Sequence, residues 1–210
     1  MMQAVFAAEA FLQTVAVDDM TRDQLEIRAI RKILNSDSVN NGVVRRNLPA
    51  VPDSFNQIKD VKVISLNMYS DDLRVVPECI NRLTGLRKLY LGYCKLNRDD
   101  SFPDTFWQLT GLERLPLYDN NLTSIPSGIG QLSSLTTLHL GYNNLVSLPD
   151  EIYQLTNLTK LHLHCNKLES ISEEIGKLTN LTELYLHNNN LMKLPKSIGN
   201  LVNLEEAQLR

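Results

Sequence analysis

The fold is decided by two consecutive segments with one pattern: LTKLHLHCNKLESISEEIGKLTN at 158–180 and LTELYLHNNNLMKLPKSIGNLVN at 181–203. Both begin L-x-x-L-x-L-x-x-N-x-L and end in an I-x-x-L step. Regular copies open every 23 residues, at Leu112, Leu135, Leu158, Leu181 and Leu204. A recurrence of this length is typical of solenoid proteins, in which each copy forms one coil.

The copies nearer the amino terminus are less regular. The copy that opens at Leu86 lasts 26 residues, with the excess near 97–100. The copy that opens at Val61 lasts 25 residues, with the excess around 68–72. A half-copy over 48–60 precedes it. We therefore predict leucine-rich repeats over 48–210, with copies starting at 61, 86, 112, 135, 158, 181 and 204.

Three slots of the repeat have a physical explanation. Apolar residues at positions one, four and six alternate, as in a short strand with one buried face. Position nine carries a side-chain amide that can donate to and accept from backbone groups of neighbouring coils. A step of Ile or Leu followed by Pro then begins the returning segment with a fixed φ. Position nine holds Cys94 in an early copy, followed by Asn120, Asn143, Asn166 and Asn189.

The pattern L-x-x-L-x-L-x-x-N-x-L-x-x-L-P-x-x-I-x-x-L resembles the 23-residue leucine-rich repeat of the Ras-suppressor and plant intracellular Ras-group type, which is also found in bacterial effectors. The resemblance covers 48–210. It implies an α/β solenoid, a right-handed superhelix with a parallel β-sheet on the concave side and short helical or extended segments outside. A fold alone does not specify a partner.

The first 47 residues contain no copy of the repeat, and we expect them to form an N-terminal helical cap. The composition of 4–15 favours a helix, and Thr21 to Gln24 has the spacing of a capping box before Ile27, Ile30 and Leu34. A cap would shield the first coil, as solenoids require. A small module that contacts protein or membrane is the alternative interpretation.

The last copy supplies only its strand, which leaves an apolar edge around Leu191, Leu194 and Ile198 without a following coil. Such an edge must be covered. We expect either a fragment of a longer protein or edge-to-edge self-association at this end.

The composition argues against several classes of function. A net charge of −3 is unlike the basic excess of a general nucleic-acid binder. No apolar run approaches the roughly 20 residues that cross a bilayer. Three cysteines, odd in number and widely spaced, suit a reducing compartment. We predict a cytoplasmic protein, in the host cytosol if it is a secreted bacterial effector, that binds neither nucleic acid nor membrane.

The exposed columns of the predicted sheet hold the candidate binding residues. Positions five, seven and eight carry all four histidines and five of the seven tyrosines of the chain. Tyrosine combines a broad apolar ring with a polar tip and therefore suits protein recognition. Strand propensity alone is the alternative explanation. The predicted partner-binding residues are Tyr90, Tyr93, Tyr118, His139, Tyr142, His162, His164, Tyr185 and His187.

The same columns begin at Ser65 in position five and Asn67 in position seven. Positions two and three add a charge pattern that changes sign along the array. Such a gradient can orient a partner of the opposite polarity. The charged residues are Arg87, Lys88 and Arg114 early, then Lys160, Glu183, Glu205 and Glu206 late.

Metal binding and catalysis are not expected. His139 and His162 are predicted to be lateral neighbours on adjacent strands, as are His164 and His187. However, a zinc site needs three or four converging ligands, and an open sheet is expected to spread these side chains apart. The sequence shows no nucleophile with a base, no phosphate-binding loop and no carboxylate pair. We predict no metal, no cofactor and no enzymatic activity.

Two functions remain. The first is a protein-interaction scaffold that binds a partner on the concave face, and the family resemblance suggests a small GTPase or another signalling protein. The second is a targeting or substrate-recognition module of a larger enzyme or effector whose catalytic part lies outside this chain. Neutral histidines on the surface also predict weaker binding at acid pH.

Overall fold

The computed structural model describes residues 45–46, 62–63, 65–67, 74–76, 80–81, 83–97 and 101–209. The helices predicted for the N-terminal cap and the half-copy at 48–60 lie outside the described residues. Within the predicted cap, Arg45–Arg46 forms strand β1, which pairs in antiparallel fashion with β2, Lys62–Val63. This short pair precedes the main sheet, and the sequence did not predict it.

The described residues form one parallel sheet of seven strands whose spatial order is the chain order. Each strand has three residues, so one coil contributes one strand. This arrangement confirms the predicted solenoid, in which every coil contacts only its neighbours. The strands are β3 Ser65–Asn67, β4 Lys88–Tyr90, β5 Arg114–Pro116, β6 Thr137–His139, β7 Lys160–His162, β8 Glu183–Tyr185 and β9 Glu206–Gln208.

The central residue of each strand points into the core. Leu115, Leu138 and Leu161 lie opposite one another across β5, β6 and β7, and all three are fully buried. The residues on either side of them are half-buried or exposed. This alternation confirms the predicted period of two, and it places positions three and five on the concave face of the sheet.

The start of the array differs from the prediction. Strand β3 pairs with β4 so that Leu66 lies opposite Leu89 and Asn67 opposite Tyr90. Asn67 therefore occupies position five, and the assignment of Ser65 to that column was wrong by two residues. The reason is that Leu66 is the central residue of β3 and lies opposite Leu89 in the register of the two strands. Counting back from Asn67 gives a register in which Val63 lies 23 residues before Leu86.

The returning segments contain short 310 helices, each of five residues. Every one begins after an extended residue with φ between −60° and −70°, and this residue is proline in four of the five cases. Proline fixes φ in this range without leaving an amide unsatisfied. None of the described helices is long and apolar enough to span a membrane. Their bounds are Asp104–Gln108, Ser127–Gln131, Asp150–Gln154, Glu173–Lys177 and Lys196–Asn200.

Ser172 replaces proline before the helix Glu173–Lys177. Its hydroxyl accepts a hydrogen bond from the backbone N–H of Glu174 at 3.2 Å. Serine therefore compensates for the lost rigidity of proline with an N-cap hydrogen bond, which the proline-led helices lack.

The asparagines of position nine form a ladder inside the coils, as the sequence predicted. The Asn143 side-chain amide donates to the carbonyl oxygens of Leu117 and Leu140, both at 3.0 Å, and of Gly141 at 3.2 Å. Its Oδ1 accepts from the backbone N–H of Leu122 at 3.1 Å. These four hydrogen bonds thus join the side chain of Asn143 to its own coil and to the preceding coil. Asn120, Asn166 and Asn189 repeat the arrangement.

Position eight adopts the left-handed backbone region in five successive coils. The φ angles lie between 53° and 55°, although none of these residues is glycine. Such a conformation costs roughly 1 kcal/mol per residue. It turns the chain so that the following residue, cysteine or asparagine, enters the interior. The residues are Tyr93, Asp119, Tyr142, Cys165 and Asn188.

Candidate functional site

Eight of the nine candidate residues form a continuous set of ring contacts on the concave face, which we call the ring cluster. The centroids of contacting rings lie 4.3 to 6.2 Å apart. The ninth candidate, Tyr90, is half-buried on β4, at the amino-terminal side of the same surface. The ring cluster consists of Tyr93, Tyr118, His139, Tyr142, His162, His164, Tyr185 and His187.

Stacking across strands holds the cluster together. His139 and His162 lie opposite one another in the register of β6 and β7, with ring centroids 4.9 Å apart. His162 stacks on Tyr185 of β8 at 4.3 Å. At the other end, Tyr118 stacks on His139 at 4.7 Å and meets Tyr93 edge-on at 5.2 Å. The predicted lateral pairs are therefore confirmed.

The expectation that an open sheet spreads these side chains apart was wrong. Neighbouring parallel strands lie about 4.8 Å apart, and this distance is close to that between stacked aromatic rings. Rings at equivalent positions of successive coils therefore stack without any bending of the sheet. His164 and His187, at position seven of adjacent coils, show this directly with centroids 4.8 Å apart and an interplanar angle of 7°.

His164 is the centre of the cluster rather than part of its exposed surface. Its side chain is buried, with only 8% of the residue exposed. A side chain in this place supports the surrounding rings, whereas a partner would contact the more exposed ones. Five rings surround it, those of His139, Tyr142, His162, Tyr185 and His187.

Gly141 provides the space for the two histidines at the middle of the cluster. A Cβ atom on Gly141 would lie 2.7 Å from Cε1 of His164 and 3.0 Å from Nε2 of His139. Both contacts are too short for a real side chain. A glycine in a strand segment can mark the close approach of another group. The glycine at position seven, between Tyr118 and His164 in its column, was the sequence signal for this contact, and the sequence analysis did not use it.

One carboxylate fixes the orientation of the His162 ring. Nε2 of His162 donates to Oε2 of Glu183 at 3.2 Å, and Oε1 of the same carboxylate forms a salt bridge with Lys160. The hydrogen bond to Lys160 is the main reason that the pKa of Glu183 is lowered. Glu183 was predicted only as part of a charge gradient. Its role as a positioning residue depends on the register of β7 and β8.

Tyr185 is also held by an acidic neighbour. A hydrogen bond from its hydroxyl to Glu206, together with burial, raises the pKa of Tyr185 to about 12. Glu206 itself is exposed and lies in register with Glu183. The carboxyl-terminal side of the ring cluster is therefore bordered by two carboxylates.

Three histidines of the cluster, His139, His162 and His164, have lowered pKa values and are therefore neutral at neutral pH. Burial, followed by the charges of His162 and His164, lowers the pKa of His139 to about 4. Burial also lowers the pKa of His162, although its hydrogen bond to Glu183 opposes the shift. Burial and the neighbouring His187 lower the pKa of His164.

Three ring nitrogens of the cluster are buried and have no hydrogen-bond partner among the described residues. They are Nε2 of His139, Nδ1 of His164 and Nδ1 of His187. A buried polar atom without a partner destabilises the folded state by about 1 to 3 kcal/mol. Protein cores rarely contain several of them together, so a role other than stability is the natural explanation.

The chemistry that the ring cluster presents is that of its aromatic rings, its imidazole nitrogens and its tyrosine hydroxyl groups. In the part of the chain that the structure describes, no group of three His, Cys, Asp or Glu side chains is placed to hold a metal ion. Tyr93 and Tyr142 are the most exposed rings of the cluster, at 51% and 55%. The cluster is thus an aromatic surface with polar edges, which is typical of recognition sites.

Comparison with known proteins gives a consistent family. The sequence profile described as a leucine-rich repeat region matches residues 62–210. Among solved structures, a leucine-rich repeat protein of Leptospira interrogans is 29% identical, with a TM-score of 0.57 over 78% of this chain and 52% of that protein. A search among curated proteins gives no significant match.

Two plant receptors are similar over part of their length. The ectodomain of the Arabidopsis thaliana receptor kinase GASSHO1/SCHENGEN3, solved in complex with CASPARIAN STRIP INTEGRITY FACTOR 2, is 28% identical with a TM-score of 0.58. The match covers 69% of this chain and 18% of the receptor. A plant peptide hormone receptor in complex with RGF2 is 31% identical with a TM-score of 0.57, over 70% of this chain and 24% of the receptor. The chain therefore spans between 18% and 52% of the length of these three proteins.

Proposed function

Because this chain belongs to the leucine-rich repeat family, we propose that it is a protein-interaction scaffold that binds its partner on the ring cluster of the concave face. The single observation that carries the proposal is the cluster itself. It joins eight rings across β4 to β8 and their following turns, and it leaves three buried nitrogens without a partner. The structural part of the same repeats, the asparagine ladder, is fully hydrogen-bonded.

The size of the surface supports binding to a polypeptide. Seven strands at about 4.8 Å span roughly 30 Å, which is the length of a protein contact or of an extended peptide. Two of the similar receptors were solved with ligands that their names identify, and this favours a peptide or protein ligand for the present chain.

A targeting module within a larger protein is the second candidate. The observation in its favour is that the chain spans only 18% to 52% of the structures it resembles. In that case the ring cluster would still be the recognition surface. The small-GTPase partner, self-association at the carboxyl-terminal edge and a cytoplasmic location stay predictions from the sequence.

The test uses a concave variant that the repeat itself tolerates. In Tyr93→Asn/Tyr142→Asn/Tyr185→Gln, each ring is replaced by the residue at the same position of a later coil, Asn188 or Gln208. The matched control, Gln131→Ala/Gln154→Ala/Asn200→Ala, changes three exposed residues at the ends of 310 helices on the opposite face.

The three proteins are panned against one displayed library of random peptides about 16 residues long, enough to cross the sheet at about 3.3 Å per residue. We expect enrichment on the wild type and on the control, and a loss of about tenfold or more on the concave variant. Equal enrichment on all three proteins, or a wild type that binds neither peptides nor folded domains, would overturn the proposed function.

A further inference from the structure

The charged residues beside the ring cluster form one straight column with a change of sign. Position three of successive strands is paired in register from β4 to β9. This column runs parallel to the position-five rings, two residues away on the same face. A ligand lying along the rings therefore passes each charge in turn. The column consists of Lys88, Arg114, Thr137, Lys160, Glu183 and Glu206.

The charges in the middle of this column neutralise one another, and those at its ends do not. Lys160 and Glu183 form a salt bridge, so the strands β7 and β8 contribute little net charge. Around β4 and β5, positions two and three hold three basic residues and one acid. That acid, Glu113, lies 3.7 Å from the Arg87 guanidinium. The positive charges of Lys88 and Arg114 therefore remain at this end.

The opposite end is acidic. Positions two and three of the last coil are Glu205 and Glu206, and both are exposed. Glu206 accepts the hydroxyl hydrogen of Tyr185, which leaves its negative charge intact. The concave face thus has a basic end at β4–β5, a neutral aromatic centre and an acidic end at β8–β9.

The width of the ring cluster fits a single polypeptide strand. The rings occupy positions five, seven and eight, a band only a few residues wide at about 3.3 Å per residue. A globular partner in a standard interface covers about 800 Å² on each side, far more than such a band offers. In the other direction, the five intervals from β4 to β9 cover about 24 Å, or some seven extended residues.

We propose that the concave face binds an extended peptide segment in one charge orientation. Acidic residues of the segment lie at Lys88 and Arg114, and basic residues lie at Glu205 and Glu206. The uncharged residues between them, about seven in number, cross the ring cluster. This inference rests on the proposed function and specifies the chemistry of the partner.

The neutral centre adds to the selectivity. His139 and His164 present buried or half-buried rings without charge, and a charged residue placed over them would lose hydration without gaining a partner. Like charges at either end would repel a segment bound in reverse. Both effects disfavour the wrong orientation, as repulsive contacts commonly do in specific interfaces.

The peptides enriched in the library experiment test the orientation directly. We expect acidic residues toward one end and basic residues toward the other, separated by about seven uncharged positions. Selection is repeated on the variant Lys88→Glu/Arg114→Glu. Peptides selected on this variant should no longer be enriched in acidic residues at one end. Lys177→Glu/Lys196→Glu, with the same change of net charge on the helical face, should select the wild-type pattern.

A synthetic peptide from the selection and its charge-reversed form complete the test. The reversed peptide should bind the wild type about tenfold more weakly at low salt, and the difference should shrink in high salt. Enriched peptides without charge order, or a pattern unchanged by Lys88→Glu/Arg114→Glu, would overturn the orientation and leave the scaffold function standing. If no peptide is enriched on the wild type and only folded domains bind, the extended segment is excluded along with its orientation.

Discussion

The asparagine ladder and the ring cluster run along the same coils with the same spacing, but they differ in how their polar atoms are satisfied. Asn143 uses its whole side-chain amide, in four hydrogen bonds to backbone groups. Across the sheet, three histidine nitrogens are buried without partners. The repeat therefore builds stability inside the coil, and it maintains on the concave face a surface that stability alone does not explain.

The largest expected effect on stability comes from breaking the ladder. Asn143→Ala removes an NH2 group that donates to three backbone carbonyls and an oxygen that accepts from one backbone N–H, so several backbone groups become unsatisfied. We expect the free energy of unfolding to fall by about 3 kcal/mol in urea titrations. The control Asn144→Ala, at the next position and less buried, should change it by less than about 1 kcal/mol. Equal losses in the two variants would show that the ladder is not the source of stability.

Gly141→Ala tests the space beneath the rings. The new Cβ would overlap His164 and crowd His139, and the rings must move to accommodate it. We expect a loss of about 1 to 3 kcal/mol in the free energy of unfolding and weaker peptide binding. Gly199→Ala is the matched control, because nothing lies within 4 Å of a Cβ at that glycine. If Gly141→Ala behaved like Gly199→Ala in both assays, the close packing of the cluster would be refuted.

His139→Phe keeps a ring but removes the buried unpartnered nitrogen. We expect a gain of about 1 kcal/mol in the free energy of unfolding at neutral pH. The pH dependence should change as well. The pKa of His139 is about 4 in the folded chain and 6.5 ordinarily, so the unfolded state binds the proton more tightly. Its contribution to stability is complete above pH 6.5 and is lost as the pH falls toward 4.

Thermal unfolding at a series of pH values checks this sign. The difference between the melting temperatures of His139→Phe and wild type should grow on acidification, by on the order of 5 °C. Peptide binding by the wild type should weaken over the same acid range, since protonation places charges in the aromatic centre. A difference in melting temperature that stays constant with pH would contradict the assigned pKa shift.

The smallest expected effect on stability is that of the double variant Tyr93→Asn/Tyr142→Asn. Both rings are more than half exposed, and asparagine tolerates the left-handed backbone at these positions. The free energy of unfolding should change by less than about 0.5 kcal/mol, whereas peptide binding should fall severalfold. A large loss of stability without a loss of binding would assign these tyrosines to the fold.

The sequence predicted most of the fold because the same stabilising residues recur at the same positions of every regular copy. The alternating leucines determine the strands, and the asparagines of position nine determine the ladder, so one coil predicts the next. The prediction failed at the first copy, where Val61 instead of Val63 was taken as the opening. In this segment, either register would place apolar residues at alternate positions. Only the pairing of Leu66 with Leu89 shows which register the strand adopts.

The site was predicted as a set of columns and not as a packed cluster. Its residues were found from composition, since every histidine lies on one face. Their contacts depend on the spacing between strands, the absence of a Cβ at Gly141 and the carboxylate of Glu183, which are relations between coils. The left-handed backbone at position eight was missed as well, because tyrosine and cysteine give no local signal for it.

The most direct test of the central claim uses the imidazole signals in NMR spectra, because all four histidines of the chain belong to the ring cluster. A selected peptide is added to the wild type, and the Hε1 signals of His139, His162, His164 and His187 are followed. If the cluster is the binding surface, several of these signals shift in proportion to the bound fraction, and they stay unchanged with the concave variant. Saturating binding that leaves all four signals unchanged would contradict the account.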